Sequence, residues 1–190
     1  MHIYQAVEFV SAIDKGGSTC PWVVKVFTDS NTIVPYVVKL FTPSSTAQYQ
    51  PIAKEVFGNR LAIEFDLPVP EYALIELSAE FIDTLPEQYK DRLHGVSPGL
   101  KFGSAEAKNM SIVKPELLPS FLKEYNLGTI FAFDNLVQNL DRGGFRNKPN
   151  LLINDENVLL IDHEHIFYFA NDAEEGDLVT LSLDPNGWSS

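Results

Sequence analysis

The chain has 190 residues, 45% hydrophobic and 21% charged, which is enough apolar material for one domain or for two small lobes sharing a cleft. A formal net charge of -12 excludes nucleic acid as the main partner, because phosphate binding needs a basic footprint. An anionic small molecule stays compatible with this balance where a few Lys and Arg converge in a cleft. The single cysteine, Cys20, excludes an internal disulfide framework. No apolar run approaches the roughly 20 residues that span a bilayer, and Met1-His2-Ile3-Tyr4-Gln5 has no signal-peptide pattern. A cytoplasmic protein without a membrane span is expected.

Residues Ile3 to Ile13 read as a strand running into a flexible turn, Asp14-Lys15-Gly16-Gly17-Ser18-Thr19. Further strands are expected at Trp22 to Phe27 and at Pro35 to Phe41, where β-branched and aromatic residues concentrate. With a turn at Asp29-Ser30-Asn31 they form an antiparallel meander. Ile52, Val56, Leu61, Ala62 and Phe65 recur at helical spacing, which predicts about four turns of helix from Pro51. Asp66-Leu67-Pro68-Val69-Pro70 ends it, since proline cannot continue a helix interior. Tyr72 to Leu77 is a further strand.

A short helix is expected through Leu85–Leu93, and Gly95 to Gly103 reads as loop. Pro115 opens another short helix. Gly128 to Leu140 is the clearest helix, with an apolar stripe so wide that a central position is expected. The turn Asn154-Asp155-Glu156-Asn157 separates two short apolar runs, Asn150 to Ile153 and Val158 to Ile161, which predicts a β-hairpin. Ile166 to Phe169 is apolar, and an acidic stretch from Asp172 to Asp177 follows it. The shift from strand-rich to helix-rich sequence falls near Leu77 to Asp83, placing a boundary between residues 1–80 and 81–190.

The hairpin concentrates the chemistry. It holds Asp141 and Asn150 ahead of its first strand and Asp162 at the end of its second. Three side-chain oxygens gathered this way suit a hard divalent cation and a proton acceptor. A carboxylate that ends an apolar strand, as Asp162 does, needs a partner or an ion nearby.

Taken in order, the chain offers a glycine turn between strands, a lysine in the third strand, a glutamate on the next helix, an apolar strand, a central helix and the Asp…Asn…Asp hairpin. Tyr36-Val37-Val38-Lys39, Glu55 with Leu61-Ala62, Leu67-Pro68-Val69-Pro70, Asn139-Leu140-Asp141-Arg142, Pro149-Asn150-Leu151-Leu152-Ile153 and Ile161-Asp162-His163-Glu164 carry a resemblance to the HipA-like kinases. The sequence is more distantly similar to the phosphatidylinositol 3- and 4-kinases. The resemblance implies an α+β, two-lobed protein-kinase-like fold: an antiparallel-sheet lobe, then a short, mainly helical lobe, pared down or incomplete because the chain ends soon after Asp162. It implies an ATP- and Mg²⁺-dependent kinase that transfers the γ-phosphate to a hydroxyl, with Ser or Thr of a protein, this one included, as the favoured acceptor.

In that reading Lys39 pairs with the α- and β-phosphates and is held by Glu55, while Gly16, Gly17 and Ser18 cover the phosphates. Glu76 and Leu77 offer backbone to the adenine. Asp141 takes the acceptor proton, Arg142 steadies the loop or the transferred phosphate, and Asn150 and Asp162 ligate the metal. Lys25 is the rival of Lys39 and Glu64 that of Glu55. Ser18 and Thr19 are candidate autophosphorylation targets. The resemblance leaves room for a regulatory protein partner.

Two departures from the family pattern stand out. The seven residues Gly143 to Pro149 separate Asp141 from Asn150 by more than the pattern has, which leaves Asn147 as a second choice of ligand. Asp162-His163-Glu164 replaces the Asp-Phe-Gly triplet, so no activation-loop mechanism is inferred. Two rival functions remain. One is a metal-dependent hydrolase using Asp162, His163, Glu164 and His165, with both histidines on one strand face. The other is a pseudokinase module that binds nucleotide without transferring phosphate.

Overall fold

Strands β1 (Ile3–Ala12), β2 (Trp22–Phe27) and β3 (Ile33–Val38) form the expected meander, β2 pairing antiparallel with both neighbours. The computed structural model describes residues 1–13, 19–90, 96–113, 125, 127–139, 141–142 and 148–167. The register of β1 against β2 shifts between Ala6 and Glu8 and again between Phe9 and Ser11. Such bulges bend a strand and increase its twist, which lets a sheet curl far enough to close.

It does close. β4 (Tyr72–Leu77) runs parallel to β1, with Ile3 opposite Leu74 and Gln5 opposite Glu76. β5 (Gly99–Ala105) fits between β3 and β4, completing a five-stranded barrel in the order β1-β2-β3-β5-β4. The expected antiparallel sheet is closed, and one of its pairings, β1 with β4, is parallel. The loop expected over Gly95 to Gly103 is corrected too, because residues 99–103 are strand, and the barrel takes this strand from beyond the boundary expected near residue 80. Gly99, Lys101 and Gly103 break the apolar alternation that would have marked it. Gly103 is there for clearance: a Cβ at this position would stand 2.5 Å from Cγ1 of the fully buried Ile75. Trp22, Val24, Val26, Tyr36, Val38, Ile75 and Leu77 fill the barrel.

Between β3 and β4 lie two helices. α1 (Pro43–Tyr49) starts where the Thr42 hydroxyl accepts from the Ser45 N–H at 3.2 Å, with proline in its first turn. Gln50, at φ 48°, ends α1, and α2 (Pro51–Glu64) begins directly after it. Asp66 at φ 55° then turns the chain away. After β4, α3 (Ala79–Asp83) is capped by Ser78 and α4 spans Glu87–Lys90, inside the helix expected over residues 85–93.

A second apolar cluster forms around α5 (Leu127–Leu136) and a three-stranded sheet of β6 (Ser111–Ile112), β7 (Leu151–Ile153) and β8 (Val158–Leu160). The predicted hairpin is present. Its turn is closed by the Asn154 side chain, whose Oδ1 accepts from the N–H of Glu156 at 3.0 Å and of Asn157 at 2.8 Å. α5 is less central than expected. Ile130 and Phe133 are buried, whereas Phe131 is 72% exposed and Leu136 is exposed as well. Ala62 and Leu67 reach into this cluster, and the Leu160 N–H donates to Pro68 O at 2.8 Å, so α2 and the turn after it join both halves. The expected helix at Pro115, the glycine turn at residues 14–18 and the acidic stretch at 172–177 lie outside the described residues. Among the described residues no helix is long and apolar enough to cross a membrane.

Overfilling at Gly103 gives the first test. Gly103→Ala lowers unfolding free energy by about 1–3 kcal/mol, measured as a shifted urea midpoint at unchanged m-value.

Candidate functional site

A cavity of about 380 Å³ opens between the barrel and the three-stranded sheet, within the size range of small-molecule sites. Lys39 reaches it from the residue after β3. Its backbone N–H donates to Phe102 O at 3.0 Å, so β5 fixes where the side chain departs. Its ammonium donates to Glu55 of α2, to Asp162 after β8, and to Glu164 Oε2 at 3.2 Å. Glu55 is fully buried, and its Asn59 neighbour one turn on donates Nδ2 to Glu55 O at 2.8 Å.

The electrostatics follow from this crowding. Burial alone would depress the lysine pKa, but the carboxylates of Glu55, Asp162 and Glu164 outweigh it and raise it. Burial pushes the Glu55 carboxyl up, with Lys39 pulling against it. Burial also pushes Asp162 up, yet Lys39 wins there and holds it below the usual carboxylate range, with Lys148 and His165 adding to the effect. The rival lysine, Lys25, instead pairs with Glu8 at 2.8 Å on the exposed barrel wall, and Glu64 pairs with Arg60.

Asp141 and Asn150 meet despite their spacing. The Asn150 Nδ2 donates to Asp141 Oδ2 at 3.1 Å, and the Lys148 ammonium lies 3.6 Å from the same oxygen. Arg142 and Lys148 pair through their backbones, closing the long loop at its base, so the inserted residues do not separate the two side chains. Asn150 at φ 47° and Asp162 at φ 66° both adopt the left-handed conformation that Asn and Asp tolerate best among residues with a Cβ.

Arg142 does not line the cavity. It is buried, with Nε donating to Asp134 at 3.0 Å and Nη1 donating to the carbonyls of Asn150 and Ile161. It therefore ties α5 to both strands of the hairpin, and of its two expected roles the geometry supports steadying the loop. Glu76 and Leu77 do not reach the cavity. Ser104, which lines it, pairs with Tyr72, whereas Leu77 pairs with Gly99 at the opposite end of β5 and sits in the barrel core. Gly16, Gly17, Ser18 and Asn147 lie outside the described residues, although Ile13 and Thr19 on either side of the glycine turn line the cavity.

Several participants were not singled out from sequence. Ala105 and Ala107 line the cavity at the end of β5 and just past it, and small residues of this kind carry no sequence signal. Lys148 looks in sequence like an ordinary surface charge, and Glu164, expected only within the hydrolase cluster, instead stands beside Lys39. Glu55, Asp162 and Glu164 bring one oxygen each within 4.8 Å of one another. Three carboxylates against one ammonium leave negative charge unbalanced, and a donor set made only of oxygens fits a hard divalent cation. Among the described residues this is the only such cluster, and no histidine belongs to it. The histidine pair of the hydrolase reading does not form. His163 is fully buried, while His165 is half exposed with Nε2 3.5 Å from Glu164 Oε1.

His163 instead wedges between α2 and α5. A Cβ on Gly58 would stand 2.4 Å from the His163 Cβ, and the Phe133 ring meets the imidazole edge-on at 6.2 Å. Its Nδ1 lies 3.9 Å from Glu55 Oε2. Burial, then the charges of Arg142 and Lys39, push its pKa down from 6.5 to about 3, so the ring is neutral.

Two outcomes follow from this packing. Between pH 6.5 and about 3 the unfolded chain binds a proton that the native His163 does not. That contribution to stability is therefore fully present above pH 6.5 and is lost as pH falls, by up to about 1.4 kcal/mol per pH unit. His163→Phe flattens this part of a urea-midpoint profile against pH. Gly58→Ala forces α2 away from the turn at His163 and costs about 1–3 kcal/mol in chemical denaturation.

No curated protein matches the chain. The family model for HipA-like kinases matches residues 7–179, a span that contains the whole cavity and the lysine, carboxylates and hairpin around it. The chain belongs to the HipA-like kinase family and is a phosphotransferase enzyme.

Proposed function

We propose that this kinase binds Mg-ATP in the cavity and transfers the γ-phosphate to a Ser or Thr hydroxyl of a protein, its own chain included. The observation that carries the reading is the convergence of Glu55 and Asp162 on Lys39, with Asp141, Asn150 and Lys148 gathered alongside. In this reading the barrel forms one lobe and the region around α5 and the hairpin forms the other. The boundary falls after β5, within residues 105–110, and not near residue 80.

The base lies against Ala105 and Ala107. That stretch is pegged by the Ala105 N–H donating to Glu71 O at 2.7 Å and the Glu106 N–H donating to Pro35 O at 3.0 Å. Lys39 meets the phosphates, kept charged and aimed by Glu55. Asp162 and Asn150, with Glu164 beside them, hold the cation, which when bound neutralises phosphate charge. Without it the carboxylates repel the triphosphate, so nucleotide binding is divalent-dependent. Asp141 accepts the proton of the attacking hydroxyl as its oxygen bonds the γ-phosphorus and the bond to the β-phosphate oxygen breaks, releasing ADP. Lys148, between Asp141 and the phosphates, offsets the charge that builds up during transfer.

Incubation with γ-labelled ATP and Mg²⁺ tests this. Label enters the protein itself or an added protein acceptor, and Asp141→Asn lowers the transfer rate by about 10²–10⁴-fold. Equal transfer by wild type and Asp141→Asn would refute the assignment of the base.

A further inference from the structure

The Lys39 ammonium has three N–H donors, and three carboxylates take them: Glu55, Asp162 and Glu164. No donor is left for a phosphate oxygen. A nucleotide that is to meet Lys39 must therefore displace one of the three, and they are not equally held.

Glu55 is fully buried, so losing the lysine would leave its charge uncompensated away from water. Asp162 holds Lys39 at close range. Glu164 makes the longest of the three contacts, with Oε2 3.2 Å from the ammonium. It also has other partners within reach. Its second oxygen, Oε1, stands 3.5 Å from Nε2 of the half-exposed His165. One Glu164 oxygen lies within 4.8 Å of one from Asp162, close enough for a single divalent cation to draw on both. Glycine, which the Asp-Phe-Gly triplet has at this place, could neither cap the ammonium nor reach a cation.

The charge on the incoming phosphates then decides what Glu164 does. A bare triphosphate would have to expel Glu164 from Lys39 and then lie beside an unbalanced carboxylate. A cation-bound triphosphate brings with it the positive charge that Glu164 lacks once it leaves Lys39. We propose that Glu164 is a specificity-determining residue that admits the cation-bound nucleotide and rejects the bare one. It holds the third donor of Lys39 while the site is empty and passes to the cation when the loaded nucleotide arrives.

The inference rests on the Mg-ATP reading, and one experiment separates their failures. ATP affinity is measured by calorimetry in EDTA and in excess Mg²⁺ on wild type, Glu164→Gln and Glu164→Ala. Glu156→Gln, at the exposed hairpin turn, is the control of equal charge change. Each Glu164 substitution tightens ATP binding in EDTA by about 10-fold or more, the effect of one charge-assisted hydrogen bond. Affinity in Mg²⁺ stays equal or weakens, and Glu156→Gln behaves as wild type. No gain in EDTA, an equal gain in both buffers, or the same gain from Glu156→Gln would overturn the role of Glu164 and leave the nucleotide reading standing. Folded wild type that binds ATP in neither buffer would overturn both. Circular dichroism on each variant establishes the fold, and two substitutions of different size guard against one failing to fold.

Discussion

Everything in this molecule converges on one buried ammonium. Lys39 is 14% exposed and takes carboxylates from three places in the chain: Glu55 on α2, then Asp162 and Glu164 after β8. Desolvating so many charges is expensive, and a buried ion cluster is weak evidence for stability. Its cost makes sense as function. The barrel supplies the lysine, α2 the glutamate and the hairpin the aspartate, so the cluster forms only when all three elements are docked. Removing the lysine would leave a fully buried Glu55 uncompensated, a change far larger than losing a surface ion pair.

The surrounding packing holds these donors without touching the cavity. Arg142 clamps Asp134 of α5 to the carbonyls at both hairpin strands, which sets where Asp141 and Asn150 stand. Gly58 lets the His163 ring lie directly on α2, one turn from Glu55. A phenylalanine in the family pattern is here an imidazole kept neutral by burial, so the contact works as apolar packing and adds no charge to a crowded site. Left-handed backbone at Asn150 and Asp162 points the same way, since local strain persists where surrounding structure over-determines it.

Much of this could be read from the chain because charged residues at the edges of apolar runs announce themselves. Lys39 follows Val37-Val38, Asp162 follows Leu160-Ile161, and Glu55 sits early in a helix of clear period. The structure brings these three together, and it brings Asp141 to Asn150 across the long intervening loop. The helix over residues 51–64 and the hairpin turn at Asn154 were legible because propensity, caps and turn chemistry agree locally. β5 was not. Its glycines and lysine hide the alternation, and its pairing partners lie about 30 and 65 residues earlier in sequence, so no local pattern reports it. The boundary expected near residue 80 falls ahead of β5 in the chain, and Leu77, expected beside the base, pairs with Gly99 at the end of β5 away from the cavity. Lys148 was hidden for another reason: only proximity in space distinguishes a site charge from a solvated one.

The central claim is that this charge cluster exists to hold a nucleotide through a divalent cation. It is tested most directly by following the thermal unfolding midpoint while ATP is titrated with and without Mg²⁺, on wild type and Asp162→Ala. A ligand at about 100 times its Kd adds about 2.7 kcal/mol to the native state, which for a chain of this size raises the midpoint by about 5–10 °C. The account predicts that rise for wild type with ATP and Mg²⁺ together, none with ATP after chelation, and none for Asp162→Ala measured against its own ligand-free midpoint. A wild-type midpoint that does not move with ATP and Mg²⁺ would contradict it.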